Sequence, residues 1–66
     1  MNITLNGELK LLNDGTYLNQ LIEQLNIEGK RIAVEINKEI IPKSEHATYE
    51  IKDGDHIEIV HAIGGG

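Results

Sequence analysis

Sixty-six residues with no cysteine make one small domain that has no disulfide, no thiolate nucleophile and no thiolate metal ligand. Eleven acids against six bases give a formal charge of −5, which argues against nucleic acid and anionic membranes and favours a basic protein partner. Phe and Trp are absent, leaving only Tyr17 and Tyr49 as stacking platforms, and no apolar run approaches the roughly 20 residues of a membrane helix. Met1-Asn2-Ile3-Thr4 lacks the basic and apolar blocks of a signal peptide, so a cytoplasmic location is expected.

Met1, Ile3 and Leu5 alternate with Asn2, Thr4 and Asn6, the period of a strand with one buried face. Asn6-Gly7 predicts a tight hairpin turn, because both central positions need positive φ. Glu8 to Leu12 reads as the return strand, with Leu9 and Leu11 on one face. Asn13-Asp14-Gly15 breaks the pattern, and Thr16 is the expected helix N-cap. Leu18, Leu21, Ile22 and Leu25 then form one stripe of an α-helix, ended by Asn26 and Gly29. A helix this short needs a sheet under its stripe.

Ile32, Val34 and Ile36 alternate with Ala33 and Glu35 in a third strand, followed by a turn at Asn37-Lys38. Glu39-Ile40-Ile41 is a short strand ended by Pro42. Lys43-Ser44-Glu45-His46 is a loop or a single helical turn, and Thr48-Tyr49-Glu50-Ile51 reads as another brief strand. After the turn Asp53-Gly54-Asp55, His56 to Ile63 forms the last strand. The order β-β-α-β-β-β predicts an α+β chain of β-grasp (ubiquitin-like) type, a mixed sheet of four to five strands packed on one helix. In that fold the last strand lies centrally, parallel to the first. The globular domain is expected over 1–63, with a flexible glycine tail over 64–66.

Few constellations carry chemistry. His56 and His61 are five apart on a strand and face opposite sides, and Asp53-Gly54-Asp55 is too short for a calcium loop, so no metal site is expected. Ser44 and His46 lie two residues apart in a loop, where His46 reads as a capping or surface residue. No phosphate loop is present. His61 falls on the side of Ile57, Ile59 and Ile63 and reads as a rim residue at the strand's end. Val60 shares the opposite side with Glu58 and Ala62. Val60, His61 and Ala62 are the candidate docking surface, with Leu12 and Ile41 as possible extensions of it. Three terminal glycines alone are commonly a plain chain end. Behind an apolar strand, Gly64-Gly65-Gly66 instead reads as a slim tail, about 10 Å when extended, that can enter a partner's active site.

The segment Ile32-Ala33-Val34-Glu35-Ile36-Asn37-Lys38-Glu39-Ile40-Ile41-Pro42-Lys43-Ser44-Glu45-His46-Ala47 resembles the middle of the sulfur carrier proteins of thiamin biosynthesis, the ThiS family. Asp53-Gly54-Asp55 followed by Ile57 to Gly66 is similar to that family's ending, and Met1 to Glu8 to its opening. Lys38 departs from the family, many of whose members have Gly in that turn. The resemblance implies a carrier rather than an enzyme. A ThiF-like adenylyltransferase would activate the Gly66 carboxylate with ATP and Mg²⁺, both belonging to the partner and no cofactor being bound by this chain. A sulfur donor system using cysteine would convert the adenylate to a thiocarboxylate, and a ThiG-like thiazole synthase would take the sulfur. Gly65 would supply the slim approach and Gly64 a hinge. The alternatives are a sulfur carrier for molybdopterin synthesis or tRNA thiolation, a β-grasp binding module with an inert tail, and a protein tag joined through isopeptide bonds.

Overall fold

The computed structural model describes residues 1–61. Within them lie β1 (Asn2–Leu5), β2 (Glu8–Leu11), α1 (Leu18–Gln24), β3 (Ile32–Ile36), β4 (Glu39–Ile41), a 3₁₀ turn over Lys43–Glu45 and β5 (His56–His61). The strands form one sheet in the order β2-β1-β5-β3-β4, with β1 and β5 parallel and the other neighbours antiparallel. This is the β-grasp arrangement that the pattern predicts, with the last strand at the centre. The division expected between 1–63 and 64–66 falls outside the described residues.

Two turns of the same kind join the hairpins. Asn6 and Gly7 both have positive φ, 50° and 86°, as a two-residue loop between strands of right-handed twist requires. Asn37 and Lys38 repeat this with 52° and 70°. Lys38 therefore occupies a left-handed position that costs a side-chain-bearing residue about 1–2 kcal/mol. Asn37 holds the turn in place: its Nδ2 donates to Asp55 Oδ1 at 3.0 Å, and its Oδ1 accepts the His56 N–H at 3.0 Å.

The helix begins one residue later than expected. Tyr17, not Thr16, is the N-cap, and its N–H donates to Gln20 Oε1 at 2.7 Å. Thr16 is buried, and its hydroxyl donates back to the Asn13 carbonyl at 2.7 Å, so it fastens the preceding turn instead. At the other end Asn26 takes φ 58°. The Asn26 N–H reaches Glu23 O at 3.0 Å and the Ile27 N–H reaches Ile22 O at 3.3 Å, a Schellman closure that lays Ile27 beside Ile22.

Leu18, Leu21 and Ile22 of α1 are buried against Ile3, Val34, Ile36, Ile57 and Ile59 of the sheet, and Leu25 packs at the margin. The predicted strand over Thr48–Ile51 is not one. It makes a single bridge, Tyr17 to Glu50. Its backbone serves the start of the helix: Tyr49 O accepts from Leu18 N at 2.9 Å, and Ile51 N donates to Thr16 O at 2.9 Å.

Candidate functional site at the end of the central strand

β5 is gripped from both sides. Thr4 and Leu5 pair with His56 and Ile57 on the β1 side, while β3 follows β5 over its whole length, from Ile36 opposite Ile57 to Ile32 opposite His61. The parallel ladder stops where β1 turns into its hairpin. Asn6 continues it. Its backbone N–H donates to Ile57 O at 2.9 Å. Its side chain then acts as a further rung, with Oδ1 accepting the Ile59 N–H at 2.9 Å and Nδ2 donating to Ile59 O at 3.3 Å. The turn residue thus becomes a positioning residue for the strand end, a role not visible in the Asn-Gly signal. β5 is held as far as His61, and residues 62–66 continue from there.

Among the predicted docking residues, Val60 and His61 lie on opposite faces of the sheet. Val60 points away from the helix and is 58% exposed. Beside it on the open sheet face lie Ala33, Glu35, Ile40 and Glu58, around a shallow depression. Ile40, 71% exposed, is the large apolar neighbour there. Leu12 and Ile41 do not extend this patch, because both are buried. The register that sets Ile41 opposite Val34 sends it into the core and Ile40 out. His61 lies on the helix side, in a second depression with Leu5, Asn6, Leu25 and Ile27. It is exposed, as a rim residue should be. Ala62, Gly64, Gly65 and Gly66 lie outside the described residues.

The open face carries an electrostatic cost. Glu35 and Glu58 stand directly opposite each other across β3 and β5. Like charges so placed oppose folding by roughly 0.2–1 kcal/mol. A cationic side chain of a partner would relieve the pair while covering Val60 and Ile40. This agrees with the overall acidity of the chain.

Asp53, Asp55 and His46 are structural. Asp55 is buried, and its carboxylate accepts from Asn37 Nδ2 and, at 2.8 Å, from the Lys52 N–H. Asp53 Oδ1 accepts the Asn2 N–H at 2.7 Å. His46 is the C-cap of the 3₁₀ turn, one of its two expected roles, and is buried rather than on the surface. Its Nε2 lies 3.1 Å from the Ile41 carbonyl, which can only accept, so Nε2 carries the proton. Its own carbonyl accepts the Asn19 N–H at 2.9 Å, so it ties the 3₁₀ turn to α1. Burial, and after it the charges of Asp55 and Glu39, raise the Tyr49 phenol above its ordinary value. No group of three metal-ligating side chains comes together among the described residues, and no helix among them is long and apolar enough to cross a membrane.

The sequence profile described as "ThiS family" matches residues 3–66, nearly the whole chain. The chain belongs to the ThiS family. A crystal structure of a thiamine biosynthesis protein (ThiS) from Geobacter metallireducens superposes with a TM-score of 0.87 at 28% identity, covering all of both chains. Among ThiS relatives, the sulfur carrier protein ThiS of Bacillus subtilis is 42% identical, over 97% of this chain and 98% of that one. The chain is also 39% identical, over its full length, to part of a thiazole synthase from Paramagnetospirillum magneticum, and it spans 20% of that protein's length.

Proposed function

We propose that the chain is a sulfur carrier for the thiazole branch of thiamin synthesis, a protein co-substrate and not a catalyst. The observation that carries this reading is the family match running through residue 66, combined with a clamped central strand that is followed in the sequence by Ala-Ile-Gly-Gly-Gly. A rigid support followed by slim residues suits delivery of one reacting group into another protein's site. Similarity to part of a thiazole synthase supports the thiamin pathway over molybdopterin synthesis or tRNA thiolation.

The proposed chemistry starts from a poor electrophile. A Gly66 carboxylate oxygen attacks the α-phosphorus of ATP in a ThiF-like adenylyltransferase. Pyrophosphate leaves, and the acyl carbon gains AMP as a leaving group. A sulfide-level sulfur nucleophile that the donor system releases from cysteine attacks the acyl carbon, AMP departs with its electron pair, and a thiocarboxylate remains. A ThiG-like thiazole synthase accepts that sulfur. ATP and Mg²⁺ belong to the adenylating partner. Docking of the globule raises the local concentration of the tail at each site, and the face around Val60 and Ile40 offers an apolar contact for it.

Deleting Gly65 and Gly66 tests the proposal. A carrier loses all sulfur transfer while its fold and its docking to the adenylating enzyme persist. Undiminished function of the truncated chain would support a binding module with an inert tail.

A further inference from the structure

The chain as a whole is acidic, yet one cleft is not. Between the C-terminal end of α1, the start of β3 and the 3₁₀ turn lies a cavity of about 400 Å³, within the range of about 300–1,000 Å³ usual for binding clefts. Its walls include Lys30, Arg31 and Lys43, three of the six basic residues of the chain, against a single acid, Glu28. Its apolar lining is Ile22, Ile27 and Ile32.

Local sequence builds this cleft. The Schellman closure brings Ile27 back beside Ile22. Gly29, with φ 82°, then turns the chain, and the Lys30 N–H donates to Ile27 O at 3.2 Å, which sets Lys30 and Arg31 at the entrance to β3. Lys43 comes from the 3₁₀ turn that His46 ties to α1. Arg31 already interacts within the chain. Among the described residues, neither Lys30 nor Lys43 makes a salt bridge.

Position gives the cleft its meaning. Ile32 is the register partner of His61, and Ile27 lines both this cleft and the depression beside His61. The cleft therefore lies at the end of the sheet from which residues 62–66 continue. An enzyme acting on that segment approaches the molecule from this end.

We infer that the cleft docks an acidic segment of the adenylating partner, one that sets an Asp or Glu beside Lys30 and Lys43 and an apolar side chain on Ile22, Ile27 and Ile32. This rests on the proposed carrier function and adds a second contact, on the helix side, to the sheet face around Val60. It also qualifies the expectation drawn from net charge: the partner surface is cationic opposite Glu35 and Glu58, and anionic opposite this cleft. The two contacts together fix the orientation in which the tail is presented.

The test compares two charge reversals of equal size in the full chain. Lys30→Glu/Lys43→Glu changes the cleft, and Lys10→Glu/Lys52→Glu changes lysines outside both proposed contacts, at the far end of the sheet. Each is titrated against the adenylating enzyme and against the thiazole synthase of the same source, at low and high salt. Thermal melts confirm folding, and Lys30→Gln/Lys43→Gln serves as a milder variant. The cleft reversal should weaken binding to the adenylating enzyme about tenfold or more and flatten its salt dependence, with the neutral variant between, while the far-end reversal changes it less than about twofold. Equal effects of the two reversals, or an effect confined to the thiazole synthase, would overturn the inference. Wild-type chain that binds and is adenylated, with the cleft reversal indistinguishable from it, removes this surface and leaves the carrier function standing. Wild-type chain that neither binds nor is adenylated removes both.

Discussion

The two ends of β5 are built on different principles. At its start nearly every polar group is saturated. Asp55 bridges Asn37 and the Lys52 N–H, Asn37 takes the His56 N–H, the Thr4 N–H donates to Asp55 O at 2.9 Å, and the Gly54 N–H donates to Asn2 O at 2.7 Å. At its finish, one side chain, Asn6, supplements the β3 ladder, and around it lie exposed Val60, exposed His61 and a cationic cleft. One end holds the strand in the fold. The other presents it. The difference teaches that a small chain can fasten a strand by hydrogen bonds at its root while leaving open surface around its tip.

Truncating a core residue of β5 itself should have the largest effect. Ile57, the second residue of the strand, is 1% exposed and belongs to the core cluster. Ile57→Ala should cost about 2–5 kcal/mol, read from the urea midpoint. A domain this short holds only a modest reserve of stability, so partial unfolding at room temperature is the expected result.

Asp55→Ala comes next and acts at the root alone. It leaves the Asn37 amide and the Lys52 N–H without their acceptor, a cost of about 1–3 kcal/mol. The folded fraction should still dock as the wild type does. Asn6→Gly acts at the tip. Glycine keeps the positive φ and removes the clamp, so stability should fall by about 1 kcal/mol. Amide exchange should quicken at Ile59 to His61 and stay unchanged at the Asp55 turn. If Asp55→Ala loosened the tip as much as Asn6→Gly, the two ends would not be independent.

Much of this was legible in the sequence. Alternation in Met1 to Leu5 and in Ile57 to His61, with the stripe from Leu18 to Leu25, identifies the sheet, the helix and the core face, because each element shows its own period. What stayed hidden depends on contacts between elements. Ile40 and Ile41 are adjacent, so alternation could not choose which points inward; the register against β3 does. Thr16 and Tyr17 both precede the helix, and only the reach of Thr16 back to Asn13 removes it from the cap. Thr48 to Ile51 has strand-like composition, but its hydrogen bonds are taken by the helix start. Lys30, Arg31 and Lys43 come from two loops, and nothing local in the chain announces that they meet. Asn6 carries a strong turn signal that masks its second role.

The smallest expected effect concerns pH. The folded chain holds the Tyr49 proton more tightly than the unfolded chain does, chiefly through burial. Its contribution to stability is complete below the ordinary tyrosine value of about 10 and is lost as pH rises through the higher folded value. Urea midpoints measured on either side of pH 10 should fall for the wild type and fall less for Tyr49→Phe.

The central claim is that Gly66 carries the reacting group. Intact-mass spectrometry after incubation with ATP, a sulfur donor and the adenylating enzyme tests it, with the shift mapped to a C-terminal fragment so that oxidation of Met1 is not mistaken for exchange of oxygen by sulfur. The account predicts an ATP-dependent exchange located at Gly66. An unchanged C-terminal fragment, with the same enzyme shown to be active on another carrier, would contradict it.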